Sequence, residues 1–315
     1  GDQDNAETFY AFASYNTPTA IYRYDVATNE SQLIRRPEVK FDTERFVVEQ
    51  VFYESKDGTR VPMMLAYRKD LPRDKPHATL LYGYGGYSIW LAPSFSVDYV
   101  PWMELGGIVA IANLRGGGEY GEEWHLAGKN LNKQNVFDDF IAAGEWLVDK
   151  GYTSRPQLAI MGGSNGGLLV GAVMVQQPEL FGACIPIVGV LDMLRFHQFT
   201  AGQFWRDEFG SVENEEEFKN RFAYSPYHNI RDGIQYPATM IMTADTDDRV
   251  VPMHSFKFAA ALQRAQSGPQ PILLRVEPRA GQGRGPPASK LTQTPAAKWA
   301  FLVQNLGMDV PVESQ

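Results

Sequence analysis

The sequence predicts an α/β protein built on an eight-stranded, mostly parallel sheet with helices on both faces. Three observations predict this fold class. Short apolar runs alternate with helical patterns from residue 78 onward, a hairpin pattern precedes them, and a glycine-rich turn joins one apolar run directly to a helix. The length of 315 residues allows one large α/β domain or two small ones.

The N-terminal segment has a different pattern from the rest of the chain. Residues 8–34 are predicted to be antiparallel β, because aromatic-rich runs lie at residues 9–13 and 21–24 and Ala27-Thr28-Asn29-Glu30 supplies a turn. The polar residues 35–45 follow them and predict a linker. We therefore expect a β-rich segment over residues 1–45 and an α/β domain over residues 46–315.

Eight strands are predicted from residue 46 onward. The first two, at residues 46–53 and 59–67, are joined through Lys56-Asp57-Gly58, which is a strong hairpin signal. The other six are near-continuous apolar runs of the kind found in strands buried on both faces. They lie at residues 78–82, 107–112, 157–161, 183–190, 238–243 and 272–276.

Helical patterns separate these apolar runs, and four of them are clear. They cover residues 136–149, 165–176, 253–266 and 292–306. For the first, Asn135 is the predicted N-cap and Gly151 the predicted end. Strands that alternate with helices in this way favour a parallel sheet, and the leading hairpin adds an antiparallel edge.

Composition excludes several classes of function. A net charge of −8 disfavours a nucleic-acid partner, and no apolar run is long enough to cross a membrane. A single cysteine, Cys184, excludes an internal disulfide, and five scattered histidines argue against a metal centre. No cofactor is implied, because the glycines at 116–118 lack the spacing of a dinucleotide site. The chain begins without Met or an apolar leader, so we expect a trimmed piece of a cytoplasmic protein.

The most informative segment is the Gly-x-Ser-x-Gly turn at residues 162–166. It follows an apolar run and opens a helical pattern, which is the context of a nucleophile elbow in the α/β-hydrolase fold. Ser164 stands at the apex of that turn and is the predicted nucleophile. The backbone N–H of Asn165 follows it and is a candidate oxyanion donor.

Two further segments supply a candidate oxyanion donor and a candidate acid, but no candidate base is found. Tyr84 lies in a glycine-rich turn after the strand at 78–82, where this fold places its second oxyanion donor. The triad acid is expected after the seventh strand, where Asp245, Asp247 and Asp248 compete on equal terms. The base is expected after the eighth strand, but no histidine follows His254.

With these segments in view, the chain resembles the peptidase domain of the prolyl oligopeptidase family of serine peptidases, from about residue 8 to its end. The resemblance rests on four motifs. They are Tyr-Gly-Tyr-Gly-Gly at 82–86, Asn-Leu-Arg-Gly-Gly-Gly-Glu-Tyr-Gly at 113–121, Gly-Gly-Ser-Asn-Gly-Gly at 162–167, and Asp-Asp-Arg-Val-Val-Pro at 247–252.

The resemblance implies a role for each matching residue. Ser164 matches the nucleophile, Asp247 the acid, Tyr84 the side-chain oxyanion donor and Asn165 the backbone donor. Arg249 matches the residue that binds a substrate carbonyl. Three more match the lining of the proline pocket, and they are Trp205, Tyr87 and Val250. Aromatic walls suit proline because its ring is flat and apolar.

The sequence departs from the family in two places. Gln282 occupies the position of the catalytic histidine in Ala280-Gly281-Gln282-Gly283, and the following Arg284-Gly285-Pro286-Pro287 is also unusual. A deliberate inactivating change, a natural degenerate copy and an error in this stretch are all compatible with the substitution. The propeller that family members carry is missing too, unless residues 1–45 are its remnant, so we expect either another chain that supplies it or self-association.

Three functions follow from the resemblance. The first is a serine endopeptidase that cleaves short peptides after proline and is impaired by Gln282. The second is a non-catalytic peptide-binding domain, and the third is an acyl-transferring or macrocyclising relative. A serine-directed probe separates the first two, because labelling needs an activated Ser164.

Overall fold

The computed structural model describes residues 2–281 and 293–309. Eleven strands lie in these residues: β1 (Glu7–Ser14), β2 (Thr17–Asp25), β3 (Glu30–Arg35), β4 (Phe46–Glu54), β5 (Arg60–Arg68), β6 (Thr79–Tyr82), β7 (Ile108–Ala112), β8 (Leu158–Gly163), β9 (Ala183–Ile187), β10 (Ala238–Ala244) and β11 (Ile272–Glu277). Their α-helices are α1 (Tyr99–Glu104), α2 (Glu122–Leu126), α3 (Gln134–Asp149), α4 (Asn165–Gln176), α5 (Arg206–Phe209), α6 (Glu215–Tyr224), α7 (Met253–Ala265) and α8 (Gln293–Asn305).

Eight of the strands form one sheet in the order β11-β10-β9-β8-β6-β7-β5-β4. The pairs from β7 to β11 are parallel, while β4 and β5 form an antiparallel hairpin at one edge. The predicted fold class is therefore confirmed. In a parallel sheet the carboxyl ends of neighbouring strands meet at one edge, so the loops after β6, β8 and β10 are brought together there.

Helices cover both faces of this sheet. On one face α3, α4 and α7 bury apolar side chains such as Phe140, Val170 and Phe258. On the other face α1 packs against α8, and the rings of Trp102 and Trp299 stack with their centroids 5.2 Å apart. Burial on both faces explains why the central strands carry continuous rather than alternating apolar residues.

The N-terminal strands form a separate three-stranded antiparallel sheet in the order β1-β2-β3. Tyr15 and Ala20 are buried, but Phe9, Phe12 and Ile34 are all more than half exposed. The Asn16 side chain donates a hydrogen bond to the carbonyl of Phe46 at 3.2 Å. Assigning this sheet to a domain of its own stays a prediction.

The structure corrects the predicted start of the helix at 136–149. Helix α3 begins at Gln134, after a 3₁₀ turn at Asn130–Asn132, and has no side-chain cap. Asn135 does not cap it, because its amide instead donates to the carbonyl of Ala127 at 2.9 Å. The predicted end holds, since Gly151 adopts a φ of 75° beyond the last turn.

None of the helices in the described residues is both long and apolar enough to cross a membrane. Within the same residues, no cluster of three histidine, cysteine or acidic side chains is placed to hold a metal ion.

Candidate active site

Ser164 stands on a tight turn between β8 and α4. Its φ of 57° and ψ of −115° lie outside the ordinary regions for a residue with a side chain, so the turn is strained. The Ser164 N–H donates to the carbonyl of Ile187 at 2.8 Å, which ties the turn to the end of β9. Only glycine fits at 162, because a Cβ there would collide with the backbone of Gly166.

The loop after β6 brings Tyr84, the expected oxyanion donor, to this serine. The Tyr84 hydroxyl lies within hydrogen-bonding reach of Ser164, and burial raises the pKa of Tyr84, so the phenol keeps its proton. The Asn165 side chain donates to the Tyr84 carbonyl and fixes the loop against the first turn of α4. First-turn amides have no acceptor within their own helix, so the Asn165 N–H has the position expected of a backbone oxyanion donor.

The structure distinguishes the three aspartates that the pattern left open. Asp247 is 3% exposed, and its Oδ1 accepts the N–H groups of Arg249 and Val250, both at 2.9 Å. Its Oδ2 is buried and has no hydrogen-bond partner among the described residues. Burial raises the pKa of Asp247. Asp245 and Asp248 are exposed, so Asp247 has the setting expected of a carboxylate that orients a buried partner.

The chain after β11 runs alongside this acid loop. The Asp245 N–H donates to the Glu277 carbonyl at 3.1 Å, and the Thr246 hydroxyl donates to the Ala280 carbonyl at 2.7 Å. Burial is partial at Gly281, the last described residue before the gap. Gln282 itself, with the run at 284–287, lies outside the described residues. Residue 282 nevertheless follows a segment that is bonded to the loop of Asp247.

The described histidines lie elsewhere. His254 is 2% exposed, and its Nδ1 accepts the N–H of Asp192 at 3.1 Å. Burial lowers the pKa of His254 to about 4, which makes it a weak base. No histidine of residues 2–281 or 293–309 is hydrogen-bonded to Ser164 or Asp247.

A cavity of about 270 Å³ opens beside Ser164. Its walls are Tyr84, Tyr87, Ile89, Ser164, Asn165, Val190, Ala201, Trp205, Phe209 and Arg249. The Trp205 ring stacks on Phe196 with centroids 6.2 Å apart, and Tyr87 meets the edge of Phe209 at 5.8 Å. These contacts hold flat apolar walls around a space large enough for one small ring.

Most of the predicted pocket residues meet at this cavity. Trp205, Tyr87 and Arg249 line it, and the Arg249 side chain is exposed at its rim. Val250 is 2% exposed and lies next to Arg249 in the chain, but it is not one of the wall residues. Size does not distinguish this cavity, since a cleft of about 440 Å³ lies beside Arg73. Its distinction is the strained Ser164 in its wall.

A buried charge network supports the loop of Tyr84. The Lys133 ammonium donates to the Gly85 carbonyl at 2.9 Å and to the Glu208 carboxylate at 3.3 Å. The same carboxylate accepts the N–H of Tyr87 at 3.1 Å and lies 2.8 Å from the His125 ring nitrogen. The network therefore joins the loop of Tyr84 to α5, which carries Phe209 in the cavity wall.

Sequence reasoning missed these supporting residues. Phe209 carries a detectable signal, because it lies four residues after Trp205 and so belongs to the same turn of chain. Lys133 and Glu208 carry none. They are separated from each other by 75 positions, and only the folded chain brings them together.

Comparison with known proteins agrees with this geometry. The family model described as "Prolyl oligopeptidase family" matches residues 93–309. A prolyl endopeptidase from Elizabethkingia meningoseptica is 49% identical over 309 residues, which are 98% of this chain and 44% of that protein. A dual function macrocyclase-peptidase from Galerina marginata is 42% identical over 316 residues, covering 98% of this chain and 43% of its own length.

Solved structures give the same result. One, from a mechanistic study of two prolyl endopeptidases, superposes with a TM-score of 0.94 at 49% identity and covers 98% of this chain and 46% of its own. Oligopeptidase B from Leishmania major superposes with a TM-score of 0.93 at 30% identity, covering 98% of this chain and 44% of its own. The chain thus spans less than half the length of these relatives.

Proposed function

Since the chain belongs to the prolyl oligopeptidase family, we propose that its α/β domain binds short peptides at proline and that its site is built to cleave the bond on the carboxyl side of that residue. The observation that carries the proposal is the strained Ser164, with the Tyr84 hydroxyl beside it, in the wall of an aromatic cavity. Nucleophile, oxyanion donor and specificity pocket then meet within one site.

The proposed reaction proceeds through an acyl-enzyme. Ser164 Oγ attacks the carbonyl carbon of proline, and the Tyr84 O–H and Asn165 N–H stabilise the negative charge on the carbonyl oxygen. A base takes the serine proton and returns it to the leaving amine as the C–N bond breaks. Water then attacks the ester and releases the acid, which regenerates Ser164. Asp247 orients the base through its Oδ2, which has no hydrogen-bond partner among the described residues.

The proposed reaction needs a base, and the sequence has no histidine at the expected position. Residue 282 stands where the family has histidine, and the amide of glutamine has no basic nitrogen. Loss of the base of a Ser-His-Asp triad costs about a millionfold in turnover, because nucleophile and base act as a unit. We therefore expect the chain to bind proline peptides while turning them over negligibly.

The experiment compares the parent with Gln282→His. Both are assayed on a chromogenic peptide with proline before the scissile bond, and on its alanine counterpart, with Ser164→Ala added to each as the background. We expect activity on the proline peptide in Gln282→His only. Parent turnover well above the Ser164→Ala background would show that another group acts as base. Gln282→His that binds the peptide but stays at background would contradict a base position at 282.

Two alternative functions are each supported by a separate observation. Gln282 favours a peptide-binding domain without catalysis, and the macrocyclase-peptidase relative favours acyl transfer to an amine. In the Gln282→His protein, a cyclic product from a peptide with a free amino terminus would indicate transfer, while a linear acid would indicate hydrolysis.

Association with a propeller or with a second copy also stays a prediction, and the exposed Phe9, Phe12 and Ile34 support it. The cytoplasmic location also stays a prediction.

A further inference from the structure

Another cleft lies at the opposite end of the parallel strands from Ser164. It has a volume of about 440 Å³, which is within the usual range for a small-molecule site. Two of its lining residues fix its place in the sheet, because Ile108 opens β7 and His77 comes just before β6. The cleft is thus at the amino ends of these strands, whereas Ser164 follows the carboxyl end of β8. The proposed peptide site therefore does not account for it.

Positive charge is concentrated in this cleft. Its lining includes three cationic side chains, Arg73, Lys75 and Lys150, and a single carboxylate, Glu49. Among the described residues, none of the three cations forms an ion pair. The lining therefore carries an excess of two positive charges, in a chain whose net charge is −8. Such a local excess of one sign raises the local concentration of an oppositely charged ligand.

Tyrosine side chains hold the Arg73 guanidinium in place. Its Nη2 donates to the Tyr67 hydroxyl, and its Cζ lies 4.3 Å from the centre of the Tyr67 ring. The carboxylate is held in the same way, since Glu49 Oε1 accepts the Tyr67 hydroxyl at 2.6 Å and the Tyr152 hydroxyl at 3.3 Å. The Arg73 Nε and Nη1 form no hydrogen bond with the part of the chain that the structure describes. These donors are thus positioned and available for an anion.

An aromatic pair forms part of the same wall. Trp146 lies on α3 and Tyr152 follows that helix, and both line the cleft. Their rings stack with centroids 5.6 Å apart and planes at 22°. Val51 and Leu71 add apolar surface. Small-molecule sites typically combine aromatic and apolar walls with a few charged groups that fix the orientation of the ligand.

We propose that this cleft binds a phosphate monoester of a planar ring, which is the chemistry of a mononucleotide. A phosphate monoester carries about 1.5 to 2 negative charges at neutral pH, which matches the excess of two positive charges in the lining. A monocarboxylate would leave one of those charges unmatched. Arg73, Lys75 and Lys150 bind the phosphate, and the ring lies against Trp146 and Tyr152.

The test measures binding of adenosine 5′-monophosphate to the chain by calorimetry, with adenosine and inorganic phosphate as its two parts. We expect the nucleotide to bind at least about tenfold more tightly than either part, because the contacts of the ring and of the phosphate both contribute. Absence of nucleotide binding at millimolar concentration would overturn the proposal. Adenosine or phosphate that binds as tightly as the nucleotide would also overturn it.

Charge-removing variants locate the phosphate. Lys150→Gln and Arg73→Gln should each weaken nucleotide binding by about tenfold or more, since each removes a charged donor. Lys56→Gln is the matched control, because Lys56 is 79% exposed and lies outside the cleft. The Lys150 ammonium bonds to no other described residue, so its loss should leave folding unchanged. Unchanged affinity in either cleft variant would contradict the proposal.

A last variant separates this cleft from the cavity beside Ser164. Trp205→Ala alters that cavity and should leave nucleotide binding unchanged. Loss of nucleotide binding in Trp205→Ala would place the nucleotide beside Ser164 and refute the proposed site. This measurement needs no turnover, so its outcome is independent of the proposed peptidase function.

Discussion

Neutralising either member of the buried Lys133–Glu208 pair should destabilise the domain severely, while neutralising both should cost much less. The side chains of Lys133 and Glu208 are 1% and 4% exposed. Removing one partner of a buried ion pair leaves the other charge unpaired, which typically costs about 3–5 kcal/mol. Burial already lowers the pKa of Lys133, which shows that its charge is held at a cost.

The magnitude for each variant follows from the contacts that remain. Glu208→Gln leaves the Lys133 charge with neutral acceptors alone, the Gly85 carbonyl and the new amide oxygen, so we expect a loss within about 3–5 kcal/mol. Lys133→Met leaves Glu208 with the Tyr87 N–H and the His125 ring, so its loss should fall near the lower end. The double variant removes both charges and should recover about 2 kcal/mol or more of the summed loss.

The assay is urea unfolding followed by tryptophan fluorescence, and the control is Lys129→Met. Lys129 pairs with Asp207 at 2.6 Å and joins the same two segments, but Asp207 is 89% exposed. Exposed pairs contribute about 0–1 kcal/mol, so this control should change the free energy of unfolding little. Losses that simply add in the double variant would show that Lys133 and Glu208 do not stabilise each other, and the network argument would fail.

Three further outcomes are expected. Trp205→Ala should weaken binding of a proline peptide by about 1–3 kcal/mol in calorimetry, and equal affinity of the parent for proline and alanine peptides would count against the pocket. In Gln282→His, Tyr84→Phe should lower kcat about 10²-fold with little change in KM, whereas Tyr82→Phe should not, and equal effects would contradict the oxyanion role. The depressed pKa of His254, about 4, favours the neutral ring in the folded state, so its contribution to stability is complete above pH 6.5 and is lost as pH falls toward 4. That loss amounts to about 3 kcal/mol, and His254→Asn, which keeps an acceptor for the Asp192 N–H, should remove it from the pH dependence of urea unfolding. The raised pKa of Asp247 changes the free energy of unfolding with pH in the opposite direction. The readout is therefore the difference in that free energy between parent and variant at each pH. Identical pH profiles of the two proteins would refute the assignment of this loss to His254.

The elements that the sequence predicted well are those whose signals are local. Helix α4 has the predicted bounds, 165–176, because a glycine turn precedes its apolar run and Pro178 follows. Strand β3 was predicted only in outline, as the end of the antiparallel stretch 8–34 beyond the turn at 27–30, since Glu30–Arg35 is exposed along its whole length and has no alternating pattern. Strand β9 ends at Ile187, three residues before the predicted end, because Val188 turns to a φ of 42°.

The site divides in the same way. The elbow at Ser164 is a local signal, since glycine spacing, an apolar strand and a helical pattern follow one another within 13 residues of chain. The charged residues that contact the loop of Tyr84, Lys133 and Glu208, are distant from it in the sequence. The Tyr87 N–H meets Glu208 across 121 positions, and no periodicity in either segment encodes that pairing. Supporting residues of this kind become visible only when the sheet order brings separate loops to one edge.

Burial distinguishes Asp247 from the two other aspartates of its loop. Three aspartates share one loop, but only Asp247 is buried, and one of its oxygens is already occupied by two N–H groups. A buried carboxylate oxygen without a donor costs about 1–3 kcal/mol or more, so Oδ2 calls for a partner from outside the described residues. Glutamine carries an N–H donor that can meet this need, but it has no basic nitrogen. Under the proposed function, peptide binding and turnover are therefore separable. The walls of the cavity are all described residues other than 282, whereas the proposed proton transfer from Ser164 needs a basic side chain at that position.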